Sequence, residues 1–417
     1  MTPVLTRRRF FQAALAAGLG SVVPVIGGCT PTSSARKIRD ALAALRAQRI
    51  APTPLRGYGE FRGVVHAHTG LSHDSTGTDG QILEAAHLAK LDFLVTTDHY
   101  TLRIFTEGLD GVRDYILIVR GVELPLGCVR GEGVDRRCGS VLAIGLQAPL
   151  EPEKYARKED LIAAIRAQGA LAIIAHARGV PDPHYFDLAD GMEIYDMADT
   201  IRERLVEIPR FLLAAPFFKR GGYDTELFLP IAERSNWPLV QWDRLNQTRR
   251  FVGLAGNDAH QNLSILGRQI DPYAVIFQCL NTHILVPLAT KENRFLATPS
   301  PSEKLVTALR AGRSFASFNL LADAAGFRYT AHAGEKGALV AVMGDEATLD
   351  EGLLLIAQSP IPGAIVLLRD GVPIRRQVGR ELRYPVDRTG VYRIEVSLWV
   401  MDRWRLWILA NPIYVRA

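Results

Sequence analysis

Two histidines stand two residues apart where an apolar run ends, in Val64-Val65-His66-Ala67-His68-Thr69. Residues i and i+2 of a strand point the same way, so such a pair aims two imidazoles at one point, as a shared metal ion requires. Alone, an H-x-H pair more often marks two surface histidines on an edge strand. Here it has company. Residues 91–97 deliver Asp98 and His99, residues 115–119 precede Glu123, and residues 170–175 present His176. Residues 191–195 carry Glu193, and residues 252–257 present Asp258 and His260. Six strand-like runs thus deliver His, Asp or Glu, mostly near their C-terminal ends, where barrels of alternating strands and helices keep their active sites. Any one of these side chains has a bland explanation as a buried group satisfying loop backbone; the recurrence does not.

The elements that must hold these residues follow from periodicity. Strand-like runs alternate with helical stretches such as residues 80–90 and 158–168, the rhythm of an α/β series with a parallel sheet. Residues 57–320 therefore read as one metal-binding unit, in which residues 200–250 add helices or a lid over the site. Upstream, Ile38, Leu42 and Leu45 fall at helical spacing and Pro52 and Pro54 follow, so residues 30–56 read as a helix and linker. Over residues 321–417 short apolar runs alternate with turns such as Asp370-Gly371 and Thr389-Gly390, which predicts a small antiparallel β domain. Trp399, Trp404 and Trp407 within it are read as structural. A chain of 417 residues accommodates a large core plus such a second domain. Its net charge of +5 is small, and no Arg stripe interleaved with aromatics is present, so no nucleic-acid partner is expected.

Residues 1–29 read as a targeting segment and stand outside the fold. Arg7-Arg8-Arg9-Phe10-Phe11 precedes an apolar stretch, residues 13–26, too short and too rich in Gly to span a bilayer comfortably. The paired arginines resemble a twin-arginine export signal, and Ile26-Gly27-Gly28-Cys29 resembles a bacterial lipobox in which Cys29 becomes the lipidated first residue. The expected location is the outer side of the cytoplasmic membrane, tethered through Cys29, or the periplasm. Twin-arginine export carries folded proteins, which suits a metal centre loaded beforehand. An oxidising compartment also lets Cys128 and Cys138 close the Gly-rich loop between them as a disulfide, with free thiols as the alternative, while Cys279 lies in an apolar run as a core thiol.

In order along the chain, HAHTGLSHDSTGT, TTDH, RGVE, AHAR and GNDAH resemble the motifs of the PHP (polymerase and histidinol phosphatase) metallohydrolases over residues 57–318. The tail, GVYRIEV and then ILANPIYVRA, resembles that of the carbaryl hydrolase-like branch. The resemblance implies an α/β fold, a distorted (β/α)7 barrel followed by a small antiparallel β domain; a regular eight-stranded barrel fits the run of strands as well. It implies metal ligation by His66, His68, His99, Glu123 as a bridging carboxylate, His176, Asp258 and His260. One residue more than the commonest spelling separates His68 from Asp74, so either Asp74 or His73 is the next ligand. Glu193 falls near a third-metal position, as a ligand or as a partner of one. His87, His184, His283 and His332 are read as ordinary residues.

Ligand types then set the chemistry. A carboxylate between two ions ringed by imidazoles suits zinc, manganese or iron, and not magnesium or calcium, which prefer oxygen shells; two or three such ions are expected. A water between them loses a proton near neutral pH and attacks, so no Ser or Cys nucleophile is needed, and neither a G-x-S-x-G elbow nor a Gly-rich phosphate cradle is present. Arg178 is a candidate catalytic residue that would grip a non-bridging oxygen in bidentate fashion, unless it pairs with Asp182 or Asp187. Asp98, beside His99, is the second candidate. The expected substrate is a small-molecule ester, a phosphoester first and a carboxylic or carbamic ester next; from another class, the chain would be a metal-stabilised binding lipoprotein of the cell envelope. If Cys29 is lipidated, the full chain enters the detergent phase on phase separation and Cys29→Ala moves it to the aqueous phase; wild-type protein already in the aqueous phase would exclude the anchor.

Overall fold

The computed structural model describes residues 31–50, 54–129, 137–203, 225–265, 268–269, 271–288, 296, 300–333 and 337–417. The targeting segment with Cys29, the loop 130–136 and residues 204–224 of the expected lid lie outside the described residues. The chain forms a mixed α/β fold. Its first part is built from β1 (Tyr58–Ala67), β2 (Phe93–His99), the short β3 (Gly111–Arg113), β4 (Ile116–Val129), β5 (Arg137–Ile144), β6 (Leu171–Ala175), β7 (Gly191–Asp196) and β8 (Val252–Gly256). Strands β1, β2 and β4 pair in parallel, as do β6, β7 and β8, while β5 runs antiparallel between β4 and β6. The exit of β8 then returns to β1. Asn257 N donates to Val65 O at 3.0 Å and His68 N to Ala259 O at 2.9 Å, which closes the pairings into a ring.

Alternation divides the ring residues into two faces. Val65, Phe93, Val95, Leu117, Val119, Leu142, Ile173 and Leu254 form one apolar cluster, joined by Leu305 and Leu309 of the helix Pro301–Arg310. By the two-residue period this cluster shares a face with His99 and Glu123, so it fills the inside of the ring below them. Val64, Leu94, Ile118, Val141, Ile174 and Ile194 point outward and pack in the larger core with the helices Asp79–Leu88 and Lys158–Ala167. The first of these starts cleanly because Thr78 and Gln81 make a reciprocal capping box. Strands buried on both faces read as continuous apolar runs, which is why these were conspicuous in the sequence.

A two-stranded ribbon, β9 (Ser264–Ile265) and β10 (Arg268–Gln269), follows β8, and then β11 (Asn281–Pro287) and β12 (Ser314–Ser317) carry the sheet onward. β11 pairs with the first half of β1, and β12 joins β11 to β19 (Arg403–Ala410). The remaining strands are β13 (Arg328–Ala333), β14 (Leu339–Val342), β15 (Glu346–Thr348), β16 (Leu353–Arg369), β17 (Val372–Pro385), β18 (Gly390–Val400) and β20 (Ile413–Arg416). All their pairings are antiparallel except β15 with β20. Two apolar runs that look separate in the sequence are the halves of β16, whose register slips between Gln358 and Gly363. Pro360 and Pro362 lack the N–H needed for a ladder there, and the slip accommodates them. Cys128 and Cys138 are joined as a disulfide across the β4–β5 pair, and Cys279 is a buried free thiol.

The two parts are tied by buried polar groups. Arg393 of β18 donates to both carboxylate oxygens of Asp243, at 2.5 and 2.8 Å, and to Glu395 Oε1 at 2.7 Å; Asp243 belongs to the helix Asn236–Asn246 packed on the ring. Asn411 bridges β8 and β12 through Gly253 and Ser314. Removing one partner from a buried ion pair leaves the other charge unmatched, at a cost of about 3–5 kcal/mol. Asp243→Ala should therefore lower the unfolding free energy by about that amount in denaturant titrations, whereas Arg383→Ala, at an exposed pair with Glu381, should change it by less than about 1 kcal/mol.

Candidate metal centre

Apart from Glu123, which lies within β4, the candidate ligand residues sit near or beyond the C-terminal end of a ring strand, and three of them sit in strained backbone. His66 (φ 66°), His176 (φ 48°) and Asp258 (φ 47°) are left-handed without being glycine, a conformation that costs about 1–2 kcal/mol per residue. At His66 the strain is a β-bulge: the β1–β2 register slips between Val65 and Ala67. The two imidazoles of the H-x-H pair do converge, with ring centroids 5.2 Å apart, but through this bulge and not through the regular alternation that the sequence suggested. His68 already lies one residue beyond the strand.

The centre of the site is the carboxylate of Glu123, on β4. Its Oε2 lies 3.7 Å from His66 Nε2, 3.4 Å from His68 Nε2 and 3.2 Å from His99 Nδ1, and its Oε1 lies 3.4 Å from His176 Nε2. Asp258 Oδ1 stands 3.3 Å from His66 Nε2 and 3.4 Å from His68 Nε2. Asp74 reaches His99 Nε2 at 3.4 Å and His260 Nε2 at 3.3 Å. Three candidate ligand sets result: His66, His68, Glu123 and Asp258; His68, Asp74, His99 and His260; and His66, His176 and Asp196.

These distances fit a metal better than hydrogen bonds. Four ligands placed tetrahedrally at about 2.1 Å from an ion stand ~3.4 Å from one another. His66 Nε2, His68 Nε2, Asp74 Oδ1 and Glu123 Oε2 are buried and have no hydrogen-bond partner among the described residues, an arrangement proteins avoid unless something else satisfies the atoms. The chemistry of the donor set therefore fits divalent transition ions.

Other groups turn three of the imidazoles inward. His66 Nδ1 donates to Glu193 Oε1 at 2.7 Å. Ser72 Oγ donates to Asp98 at 2.7 Å, so it accepts from His68 Nδ1 at 2.9 Å and from His99 N at 3.0 Å. His260 Nδ1 donates to the carbonyl of Asp258 at 3.0 Å. In each case Nε2 is left with its lone pair facing the centre, the usual arrangement behind a ligating histidine. Ser140 on β5 donates to Glu123 Oε1 at 2.5 Å.

Charge follows the same logic. Burial and the neighbouring His260 push the His68 imidazole well below its ordinary pKa, so it is neutral. Burial opposes protonation of His66, yet Glu193 and Asp258 raise its pKa well above the ordinary value; at His176 burial is likewise outweighed by Asp199 and Asp196. Burial favours a neutral Glu123, but His176 and His66 hold its carboxyl well below the usual range. Asp196 is driven well above its ordinary value by burial and then by Asp199. A cage with this many acidic side chains draws in positive charge.

Against the sequence reading, His66, His68, His99, Glu123, His176, Asp258 and His260 come together. Between the two open alternatives, Asp74 faces the cluster, while His73 is exposed, its ring tilted against His99 with centroids 4.9 Å apart. Glu193 lies behind His66, away from Glu123, and orients a ligand. Asp98, expected as a catalytic group, is engaged by the turn after β1. Its oxygens accept from Thr69 N, Thr69 Oγ1 and Ser72 Oγ, so it pins the turn after β1 and positions His68 and His99. Arg178 stands with its guanidinium 5.7 Å over the Trp237 ring, lining a cleft with His176, Asp199 and Ser235. The sequence reading missed Ser72, Ser140, Asp196 and Asp199. Asp199 Oδ2 is 3.2 Å from His176 Nδ1; acidic residues closely following Glu193 were its only sequence trace.

No family model matches the chain, and no curated protein matches it. Among solved structures, a proposed metal-dependent phosphoesterase from Bifidobacterium adolescentis is similar at 14% identity and a TM-score of 0.27, over 52% of this chain and 91% of that one, a likeness too slight to bear on chemistry. The geometry makes its own demand. In metal-loaded protein, Asp74→Asn should lose about one tightly held ion per chain by elemental analysis and His73→Ala none; equal losses would mean that the exposed imidazole also ligates.

Proposed function

We propose that this chain is a metal-dependent hydrolase of PHP type, exported and tethered at the cell envelope through Cys29, with phosphoesters as its substrates. The observation that carries the reading is Glu123, buried with four imidazoles around its two oxygens. His66, His68, Glu123 and Asp258 would hold one ion, and Asp74, His99 and His260, with His68 beside them, a second; Glu123 Oε1 with His176 offers the position of a third. Manganese, zinc or iron bound there would acidify a water and polarise the ester. The chain's residues supply orientation: Glu193, Ser72 and the Asp258 carbonyl fix the imidazoles, and Ser140 fixes Glu123. Arg178, with its guanidinium over the Trp237 ring beside His176, suits a phosphoryl oxygen.

One observation favours carboxylic or carbamic esters as a second reading. A cleft beside Asp258 and His260 is lined by Met197, Ala198, Ile201, Leu263 and Ile276, an apolar wall suited to an acyl or aryl group. Activity separates the readings. Protein loaded with manganese, zinc or iron should cleave p-nitrophenyl phosphate or its bis ester, lose that activity to a chelator, and act more weakly on 1-naphthyl esters; the reverse preference selects the second reading. No turnover with any metal would leave a binding lipoprotein. A charge-assisted contact contributes about 1.5–3 kcal/mol, so Arg178→Ala should lower kcat/KM for the phosphomonoester roughly 10- to 100-fold. An unchanged value would remove Arg178 from the site.

A further inference from the structure

The hairpin between β18 and β19 leaves large apolar side chains uncovered. Trp399 is 53% exposed, Met401 39% and Trp404 37%. The two indoles meet edge to face across the hairpin at 5.3 Å, and the Arg376 guanidinium of β17 lies 5.1 Å over Trp404. Val378, 53% exposed, shares the Arg376 face two residues on. Further along β18 the Trp399 face is covered: Arg393 and Glu395 are buried, with Asp243 of the helix Asn236–Asn246 on Arg393 and Arg234 on Glu395. That cover ends before Trp399. The hairpin tip is firmly shaped, since Met401 (φ 52°) and Asp402 (φ 60°) make a left-handed two-residue turn that suits the strand twist.

We infer that this tip docks on the surface of an anionic lipid bilayer. Indole rings favour the headgroup level, where an apolar body and a polar N–H are both satisfied, and methionine between them inserts at little cost. Arg376 and Arg403 are exposed around the tip, complementary to anionic headgroups, although Arg403 also lies 3.6 Å from Glu233; Asp402 is the acidic residue at the turn itself. A second copy is a poorer occupant, because a two-fold contact through this face sets the same positively charged patch against itself. The helix Pro31–Arg46, which packs on β18, begins two residues after Cys29. A lipid on Cys29, which rests on the proposed function, would hold the chain at the same bilayer. Among the described residues no helix is long and apolar enough to cross a membrane. The inference is independent of which ester is cleaved.

The test uses the full chain on vesicles of phosphatidylglycerol and phosphatidylcholine whose acyl chains carry bromine, which quenches indoles at the membrane. Trp242 and Trp407 are fully buried and Trp237 is half-buried beneath Arg178, so the difference in quenching between the full chain and the Phe double variant reports on Trp399 and Trp404. We expect quenching in the bound full chain and its loss in Trp399→Phe/Trp404→Phe, which still co-sediments. Trp399→Ser/Trp404→Ser should lower vesicle partitioning while bound metal stays unchanged. Full-chain protein that binds vesicles without quenching, or quenching that survives the Phe substitutions, would overturn the proposal. So would a dimer, seen by light scattering, that the Ser variant dissociates, since the patch would then be an interface between copies.

Discussion

A buried carboxylate cannot stay charged in an apolar ring unless positive charge meets it, and Glu123 is such a carboxylate. It stands above the cluster of Phe93, Val95, Leu117 and Val119, with imidazoles on every polar side. In the metal-free chain those imidazoles can answer it only by taking protons, which burial opposes at both His66 and His176. Divalent ions answer it without protons. The tautomers fixed by Glu193, Ser72 and the Asp258 carbonyl already turn Nε2 atoms toward the centre, so the protein is organised for the second solution.

The ring serves this arrangement by being solid elsewhere. Leu305 and Leu309 of the helix Pro301–Arg310 join the inner cluster, so apolar packing occupies the ring below Glu123 and polar groups gather at the ends of the strands above it. Left-handed backbone at His66, His176 and Asp258 would be expelled from a soft structure. It persists because the strands on each side are paired and packed on both faces, and the strain then aims side chains that regular strands would not bring together.

Much of the site was legible in the sequence for the same reason that it works. Parallel strands buried on both faces write themselves as continuous apolar runs, so the residue after each run stands out, and His99, Glu123, His176 and Asp258 were found that way. What the sequence hid are departures from regular geometry and partnerships between distant positions. The bulge at His66 inverts the simple alternation argument while leaving its conclusion intact. Which of His73 and Asp74 faces inward depends on the turn that Asp98 pins through Thr69 and Ser72, 26 to 29 residues away. Ser140 and Asp199 are common residue types whose roles exist only through Glu123 and His176. In the β domain, residues 353–356 and 364–368 stand as separate apolar runs in the sequence, because the register slip at Pro360 and Pro362 inside one long strand leaves the signature of a boundary.

The place where the ring closes gives the metal a structural part as well. β8 meets β1 through a few hydrogen bonds around His66, His68, Asn257 and Ala259, far fewer than join β4 to β5 or β2 to β4. The ligand set of His66, His68, Glu123 and Asp258 takes two members from the β1 side of that seam and one from the β8 side. His260, beyond β8, likewise meets Asp74, beyond β1, in the second set. An ion bound in either set fastens the seam, and because the unfolded chain holds no such cage, its binding free energy adds to closure of the ring. The same contacts that would activate water therefore also hold the strained ends of β1 and β8 in register, and loss of metal would be felt first at the seam.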